Sequence, residues 1–262
     1  MIFLKDFIEI SSRDNSVIKL VNSLKTSAKD RKETGLFVLE GIRICKDAAD
    51  NNIVFKKLFV SETAMQKYSS EVLPFAEISE KCYFLNDNIF KKISDTVSPQ
   101  GVIAVCEVPP VRELPISLGK FVALENLQDP SNLGALARTA EALGISGIII
   151  DKNCCDPFSP KSLRASMGTL LRIPIYFTNN VIDFCNKNSL KKYACVVKGD
   201  ATDIKTVSFK AGDVCIIGNE GNGLTEETIA NSDEKVTIKM SGKAESLNAS
   251  VAGAIAMWEM IK

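Results

Sequence analysis

The stretch F121-VALENLQDPSNLGALARTAEALGISGIII-D151 predicts a strand–helix–strand unit. Phe121–Leu127 and Gly147–Asp151 are apolar runs with the length of buried strands, and Asn132–Leu143 between them carries apolar residues at helical spacing. Such units build parallel sheets with helices on both faces. The stretch therefore predicts an α/β fold.

The same alternation continues to the end of the chain and predicts one parallel-sheet α/β domain over residues 119–262. Ligands of such sheets bind at the carboxyl ends of the strands. The further predicted elements are helix Pro160–Met167, strand Ile173–Phe177, helix Val181–Asn188, strands Tyr193–Lys198 and Val214–Ile217, helix Thr225–Asn231, strand Lys235–Lys239 and helix Ser246–Ile261.

The N-terminal part reads as a smaller α/β domain over residues 1–108, with a helical lead-in over 1–32. Three prolines follow within the eight residues VPPVRELP that begin at Val108, so we expect an extended linker over 109–118. The expected elements of the small domain are a helix over 14–30, strand Leu36–Leu39, a helix ending near Asn51, strand Phe55–Val60, helix Glu62–Ser69 and strands Cys82–Leu85 and Gly101–Val108.

Composition excludes several kinds of catalytic site. The 262 residues contain no histidine, which rules out histidine general bases and mixed Cys/His zinc sites, and we expect no metal centre. The eight cysteines form no C-x-x-C pair and read as reduced core thiols. The N-terminus, MIFLKDFIEI, lacks the uninterrupted apolar core of a signal peptide, so we expect a cytoplasmic protein without membrane spans.

Net charge gives no global attraction to nucleic acid, because 32 basic and 32 acidic residues cancel. Residues 11–32 nevertheless hold a local surplus of four positive charges, which suits either a solvated helix face or a surface that contacts phosphates. The six cations are Arg13, Lys19, Lys25, Lys29, Arg31 and Lys32, against Asp14 and Asp30.

Three polar loops follow or precede predicted strands and helices. In the first, Asp129-Pro130-Ser131-Asn132 suits a turn and helix cap. Arg138 lies on a largely apolar helix, where it either extends its charged end into water or binds an anion. The second, I216-IGNEGNG-L224, has its glycines in the order G-x-x-G-x-G, the reverse of the dinucleotide fingerprint, and it is no P-loop. The third opens the last helix.

Together, D129-PSNLGALA-R138, I217-GNEGNG-L224 and S246-LNASV-A252 resemble the three motifs of the SpoU (TrmH-type) RNA ribose 2'-O-methyltransferases. C155-DPFSPKSLRASM-G168, S98-PQGVI-A104 and R31-KETGLFVLE-G41 are similar to other segments of that family. The resemblance implies a deep trefoil knot in the C-terminal domain, bound S-adenosylmethionine, a homodimer, and an N-terminal domain that binds RNA.

Carried over by motif, the resemblance implies particular roles. The catalytic positions are Asn132, Arg138, Glu220, Ser246 and Asn248. The cofactor-binding positions are Ile217, Gly218, Asn219, Gly221, Met240, Ser246 and Leu247. The expected RNA contacts are Arg31, Lys32, Glu40, Arg164 and Ser166, and the last two suit either an RNA phosphate or the partner subunit. Ribosomal RNA is the first expected substrate, and transfer RNA the second.

Two roles remain open from the residues alone. The family's motif-one arginine has been proposed as a general base, but a guanidinium stays protonated, so Arg138 also suits gripping a phosphate beside the target ribose. Glu220 either fixes its turn by accepting backbone N–H bonds or positions Arg138 or the substrate.

Two other functions are weighed against a methyltransferase. A catalytically silent RNA-binding or ribosome-assembly protein on the same scaffold is disfavoured because all five catalytic positions are intact. A nicotinamide-dependent oxidoreductase is disfavoured by the reversed glycine spacing.

Overall fold

The structure, a computed structural model, describes residues 7–12, 14–110, 119–197 and 200–262. The described residues form two compact units. The first contains the described residues up to Pro110 and also Phe158–Leu163. The second contains residues 119–157 and Arg164–Lys262. Most of the predicted linker, the first six residues and Arg13 lie outside the described residues.

The first unit has a mixed five-stranded sheet with the order β1-β4-β3-β5-β2, in which β5 runs antiparallel to both of its neighbours. Its elements are β1 (Phe7–Ile10), α1 (Ser16–Thr26), α2 (Ala28–Thr34), β2 (Leu36–Glu40), α3 (Ile42–Asp50), β3 (Phe55–Ser61), α4 (Glu62–Lys67), α5 (Ser69–Glu77), β4 (Cys82–Leu85), α6 (Asp87–Ile93) and β5 (Val102–Glu107).

Local sequence explains where the prediction for this unit was wrong. The single helix expected over 14–30 is two helices, because Ser27 ends α1 and its side chain accepts the Asp30 N–H to begin α2. Strand β1 and helices α5 and α6 were not predicted. Helix α5 contains Pro74, a residue that sequence patterns treat as a helix breaker.

The second unit has a seven-stranded sheet whose strands are all parallel, as the alternating pattern predicted. Its elements are β6 (Phe121–Leu124), α7 (Pro130–Ala142), β7 (Gly147–Asp151), β8 (Ile175–Thr178), α9 (Val181–Lys187), β9 (Lys191–Cys195), β10 (Thr202–Asp203), β11 (Asp213–Ile217), α10 (Glu226–Ala230), β12 (Glu234–Thr237) and α11 (Ala249–Ile261), with short 3-10 helices at Thr169–Leu171 and Ile204–Thr206. Helix α8 (Pro160–Ala165), between β7 and β8 along the chain, has its first four residues in the first unit and its last two in the second.

The strand order β10-β12-β9-β11-β6-β7-β8 places a topological switch point between β6 and β11. From β6 the chain proceeds outward through β7 to β8, whereas β9 lies on the other side of β11. The loops that leave the carboxyl ends of β6 and β11 therefore flank one crevice, the usual ligand position in such sheets.

Helix α11 closes the second unit. It packs against α7, β11 and the 3-10 helix Ile204–Thr206, and the Lys120 ammonium donates a hydrogen bond to the Met260 carbonyl near its end. The helix begins at Ala249 rather than at the predicted Ser246, because the Asn248 side chain caps it. Within the described residues, no helix has both the length and the apolar character needed to cross a membrane.

Candidate active site

Glu220 ties the β11 loop to the β6 loop. Its carboxylate accepts the backbone N–H of Gln128 at 3.1 Å, the backbone N–H of Asp129 at 2.9 Å and the Asn132 amide at 3.0 Å. Glu220 therefore accepts backbone N–H groups, but these belong to the β6 loop and not to its own turn. The same carboxylate also orients Asn132, a link that the sequence did not indicate.

Asn132 and Asn248 extend this connection to the third loop. The Asn248 amide donates to the Asn132 side-chain oxygen at 3.0 Å, while the Asn248 oxygen accepts the Ser250 N–H at 2.9 Å as the cap of α11. Asn132 is 6% exposed, so both ends of its amide are used in a largely dry setting. Glu220, Asn132 and Asn248 form a continuous chain of hydrogen bonds that joins all three loops, which we call the three-loop chain.

The start of α7 explains how Asn132 reaches this position. Asp129 accepts the Ser131 N–H at 2.8 Å as the helix cap, and Pro130 occupies the first turn, where its missing N–H costs nothing. A Cβ on Gly134 would lie 2.5 Å from Ala165 Cβ and 2.7 Å from the Ser166 nitrogen, so only glycine lets α7 approach this segment.

Arg138 and Ser246 are the two predicted catalytic positions outside the three-loop chain. Both side chains are exposed, and neither makes a hydrogen bond or ion pair within the part of the chain that the structure describes. Arg138 lies on α7 beyond Gly134, one to two turns from Asn132. A protonated guanidinium so placed is available to a phosphate from outside the protein.

The β11 loop folds back on itself. Asn219 and Gly223 exchange two backbone hydrogen bonds of 3.0 and 2.9 Å, and the Asn219 side chain accepts the N–H groups of Gly221 and Asn222. A Cβ on Gly218 would lie 2.2 Å from the Gly223 carbonyl carbon, so the return of the chain requires glycine there. We call residues 218–223 the glycine loop.

Residues 240–247 lie between β12 and α11 and include three of the predicted cofactor-binding positions. Among the described residues, none of their backbone N–H groups donates a hydrogen bond, although Met240 and Leu247 are half-buried. A Cβ on Gly242 would meet nothing within 4 Å. Backbone N–H groups of this kind are available to a polar ligand, so Met240, Ser246 and Leu247 stay predicted cofactor-binding positions.

The ionisable groups at the site are poor bases or nucleophiles at neutral pH. Burial alone raises the pKa of Glu220, but hydrogen bonds from Asn132 and from the Asp129 and Gln128 backbone outweigh it, and the pKa lies below its ordinary value of 4.5. Burial, aided by the carboxylates of Glu220 and Asp129, raises the pKa of the Cys155 thiol to about 12. Burial also raises the pKa of Cys154. This site can position reactants, but these groups do not abstract protons readily.

Three of the five expected RNA contacts serve the protein itself. Arg31 is 6% exposed and its guanidinium donates to the Leu24 carbonyl at 2.6 Å. Glu40 accepts the Asp95 N–H at 2.9 Å and the Thr96 hydroxyl at 2.9 Å. Ser166 is fully buried. Arg31 and Ser166 are thus enclosed by the protein and Glu40 is half-buried and already hydrogen-bonded, whereas Lys32 and Arg164 are exposed.

The local basic surplus is also smaller than the sequence indicated. Lys25 forms an ion pair of 2.7 Å with Asp95, and only 6% of its side chain is exposed. Lys29 lies 3.7 Å from Glu33, an exposed pair worth little. Lys19 and Lys32 remain exposed on the first unit.

Comparison with known proteins places both parts of the chain. Residues 119–258 match the SpoU rRNA Methylase family, and residues 15–104 match the MRM3-like substrate binding domain. The 23S rRNA (guanosine(2553)-2'-O)-methyltransferase of Bacillus subtilis is 28% identical over 96% of this chain and 98% of its own length. The 23S rRNA (uridine(2479)-2'-O)-methyltransferase of Streptomyces viridochromogenes is 27% identical over 97% and 91%.

A solved structure agrees over nearly the whole length. The AdoMet-bound rRNA methyltransferase from Sinorhizobium meliloti superposes with a TM-score of 0.83 at 28% identity, covering 97% of each chain. The similarity therefore extends through both units.

Proposed function

The chain belongs to the SpoU rRNA methylase family, and we propose that it transfers the methyl group of S-adenosylmethionine to a ribose 2'-hydroxyl of ribosomal RNA. The observation that carries this proposal is the three-loop chain, in which Glu220, Asn132 and Asn248 connect the three family motifs by hydrogen bonds. The printed activities of the two full-length relatives support ribosomal RNA as the substrate.

Bound S-adenosylmethionine supplies the electrophilic methyl group. The glycine loop and residues 240–247 hold the cofactor through backbone groups, with Ser246 and Leu247 closing the site. The three-loop chain fixes the walls relative to one another. Alignment of two reactants can contribute roughly 7–11 kcal/mol, which suits a site whose carboxylate and thiols are weak proton acceptors.

Arg138 orients the substrate. It is exposed near Asn132, and its guanidinium carries a permanent charge in a planar fork that matches a phosphate. We assign it the phosphate beside the target ribose rather than the proton of the 2'-hydroxyl, which leaves late or to water. Lys32 and Arg164 are further candidates for RNA contact. Because the net charge is zero, RNA affinity depends on local groups of cations, and we expect moderate, strongly salt-dependent RNA binding.

A second copy of the chain covers an apolar surface on α7 and α11. Trp258 and Val251 are 52% and 47% exposed there. Between them the two helices form a groove lined by Ala135, Thr139, Ser250, Val251, Ala254, Ile255 and Trp258. Exposed apolar patches of this kind mark interfaces. This one lies on α7, which carries Arg138, and on α11, which Asn248 caps.

The dimer has a direct test. Trp258→Glu places a charge in the proposed interface and is expected to yield monomers in light scattering at concentrations where the wild-type protein is a dimer. Lys187→Glu, on an exposed side chain at the end of α9 that is not part of the groove, is the control. A wild-type protein that is monomeric throughout would contradict the homodimer.

Two other expectations rest on the family and the sequence alone. Membership implies that the C-terminal end of the second unit threads a loop as a trefoil knot, and the packing of α11 against Ile204–Thr206 is compatible with such threading. A cytoplasmic location stays a prediction from the N-terminal sequence.

The proposed activity is tested with purified protein, labelled S-adenosylmethionine, and ribosomal and transfer RNA from cells lacking the gene. We expect the label at a ribose 2'-oxygen of ribosomal RNA. Labelling of transfer RNA alone would overturn the assignment of ribosomal RNA as the substrate. Calorimetry addresses the silent-scaffold alternative, because no detectable binding of S-adenosylmethionine, with or without RNA, would favour it. The modified base is left open, since the two relatives act on a guanosine and a uridine.

A further inference from the structure

A buried carboxylate, Glu125, lies directly after β6 and outside the three family motifs. It is 7% exposed. Its side chain accepts the Thr225 N–H at 2.8 Å and the Thr225 hydroxyl at 3.1 Å, and it also accepts the Thr228 hydroxyl. Burying a carboxylate is costly unless donors surround it, and all three of these donors lie at the start of α10.

The backbone of Glu125 contacts the other end of the same segment. Its N–H donates to the Ile217 carbonyl at 2.9 Å, the last residue of β11. The glycine loop begins immediately after Ile217 and leads to Thr225. A single residue therefore holds the chain on entry to and exit from the glycine loop, while Glu220 fixes the loop's middle to Asp129.

The glycine loop has little freedom to absorb a shift at either end. A Cβ on Gly218 would lie 2.4 Å from the Leu224 nitrogen, so the backbone at the start of the loop is in direct contact with the backbone at its end. Movement of Thr225 would carry Leu224 with it and open the loop. In contrast, the hydrogen bonds of Asn132 and Asn248 connect Glu220 to the first and third loops, and neither of them involves Thr225.

We propose that Glu125 is a positioning residue for methyl-donor binding: it sets the closure of the glycine loop and so the affinity for S-adenosylmethionine, without touching either reactant. The inference rests on the proposed function, because it takes the glycine loop as a wall of the methyl-donor site. The RNA contacts, including Arg138, lie elsewhere and depend on it little.

The test compares Glu125→Ala, Glu125→Gln and a matched control in the full chain, by calorimetry with S-adenosylmethionine and by steady-state kinetics. We expect Glu125→Ala to raise Kd and KM for S-adenosylmethionine about tenfold while the KM for RNA stays within about twofold. Glutamine should restore most of the affinity, because its oxygen accepts the Thr225 N–H and its amide donates to the hydroxyls.

The control is Asp213→Ala. Asp213 is also a buried carboxylate, 4% exposed, but it lies at the opposite end of β11 and accepts the Lys210 N–H at 2.8 Å. Its loss should lower the melting temperature while the Kd for S-adenosylmethionine stays near the wild-type value. A general structural role for Glu125 would instead weaken RNA and cofactor binding alike.

A folded Glu125→Ala protein that binds S-adenosylmethionine within twofold of wild type overturns the inference and leaves the proposed function intact. If wild type itself binds none, both fail. If Glu125→Ala does not fold, Thr228→Val removes one donor with little change in shape, and we expect about a threefold rise in Kd. A Thr228→Val protein with wild-type Kd would then overturn the inference.

Discussion

Replacing Glu220 with alanine should damage catalysis more than folding. The substitution removes three hydrogen bonds, to the Gln128 and Asp129 backbone and to the Asn132 amide. Each is worth about 0.5–1.5 kcal/mol net, and because Glu220 is an exposed residue the lower half of that range applies. We therefore expect the free energy of unfolding to fall by about 2 kcal/mol, which leaves the domain folded.

The methyl-transfer rate should fall because Glu220 no longer holds Asn132 and the β6 loop in place. A displacement near 1 Å in a site that acts by positioning costs about a hundredfold in rate. Single-turnover methyl transfer at saturating S-adenosylmethionine measures this loss, and urea unfolding measures the stability. Glu226→Ala, an exposed carboxylate at the start of α10, is the control and should change neither. A Glu220→Ala protein that transfers methyl within threefold of the wild-type rate would refute the positioning role.

Three further outcomes are expected. Arg138→Lys keeps the charge but loses the planar fork, so single-turnover activity should fall about tenfold or more, and near-wild-type activity would exclude a role for the fork. Gly218→Ala should lower the free energy of unfolding by about 1–3 kcal/mol and raise the Kd for S-adenosylmethionine, because its Cβ would lie 2.2 Å from the Gly223 carbonyl carbon; a wild-type Kd would contradict this. Glu141 accepts hydrogen bonds of 2.6 and 2.8 Å from the Arg172 guanidinium, and these bonds lower the pKa of Glu141. The loss of unfolding free energy in Glu141→Gln should therefore be complete above pH 4.5 and should disappear as the pH falls through the folded-state pKa. A loss that does not change with pH in urea titrations would contradict this stabilising role of the ion pair.

The sequence predicted the second unit well because its strands are short, apolar and separated by helices. Gly147–Asp151 was predicted with the bounds that the structure has, and the parallel arrangement follows from the alternation. The first unit was harder, since its elements are short and its caps are ambiguous. Ser27 both ends one helix and begins the next, which no hydrophobic period reveals.

For the candidate site, the motifs identified the residues but not their connections. Asn132, Glu220 and Asn248 are far apart along the chain, and their direct contact depends on the sheet order that places β11 beside β6. Arg31 looked like an RNA contact because composition cannot distinguish an exposed cation from one that binds the Leu24 carbonyl. Glu125 was overlooked, although an acidic residue directly after a buried strand was a usable signal.

Whether this protein methylates ribose in ribosomal RNA is decided by a transcriptome-wide map of 2'-O-methyl groups in RNA from cells with the gene, without it, and with an Arg138→Ala copy. We expect at least one ribosomal RNA position to lose its methyl group without the gene and to regain it with the wild-type copy but not with the variant. A map of ribosomal RNA that is the same in all three kinds of cell would overturn the proposed activity.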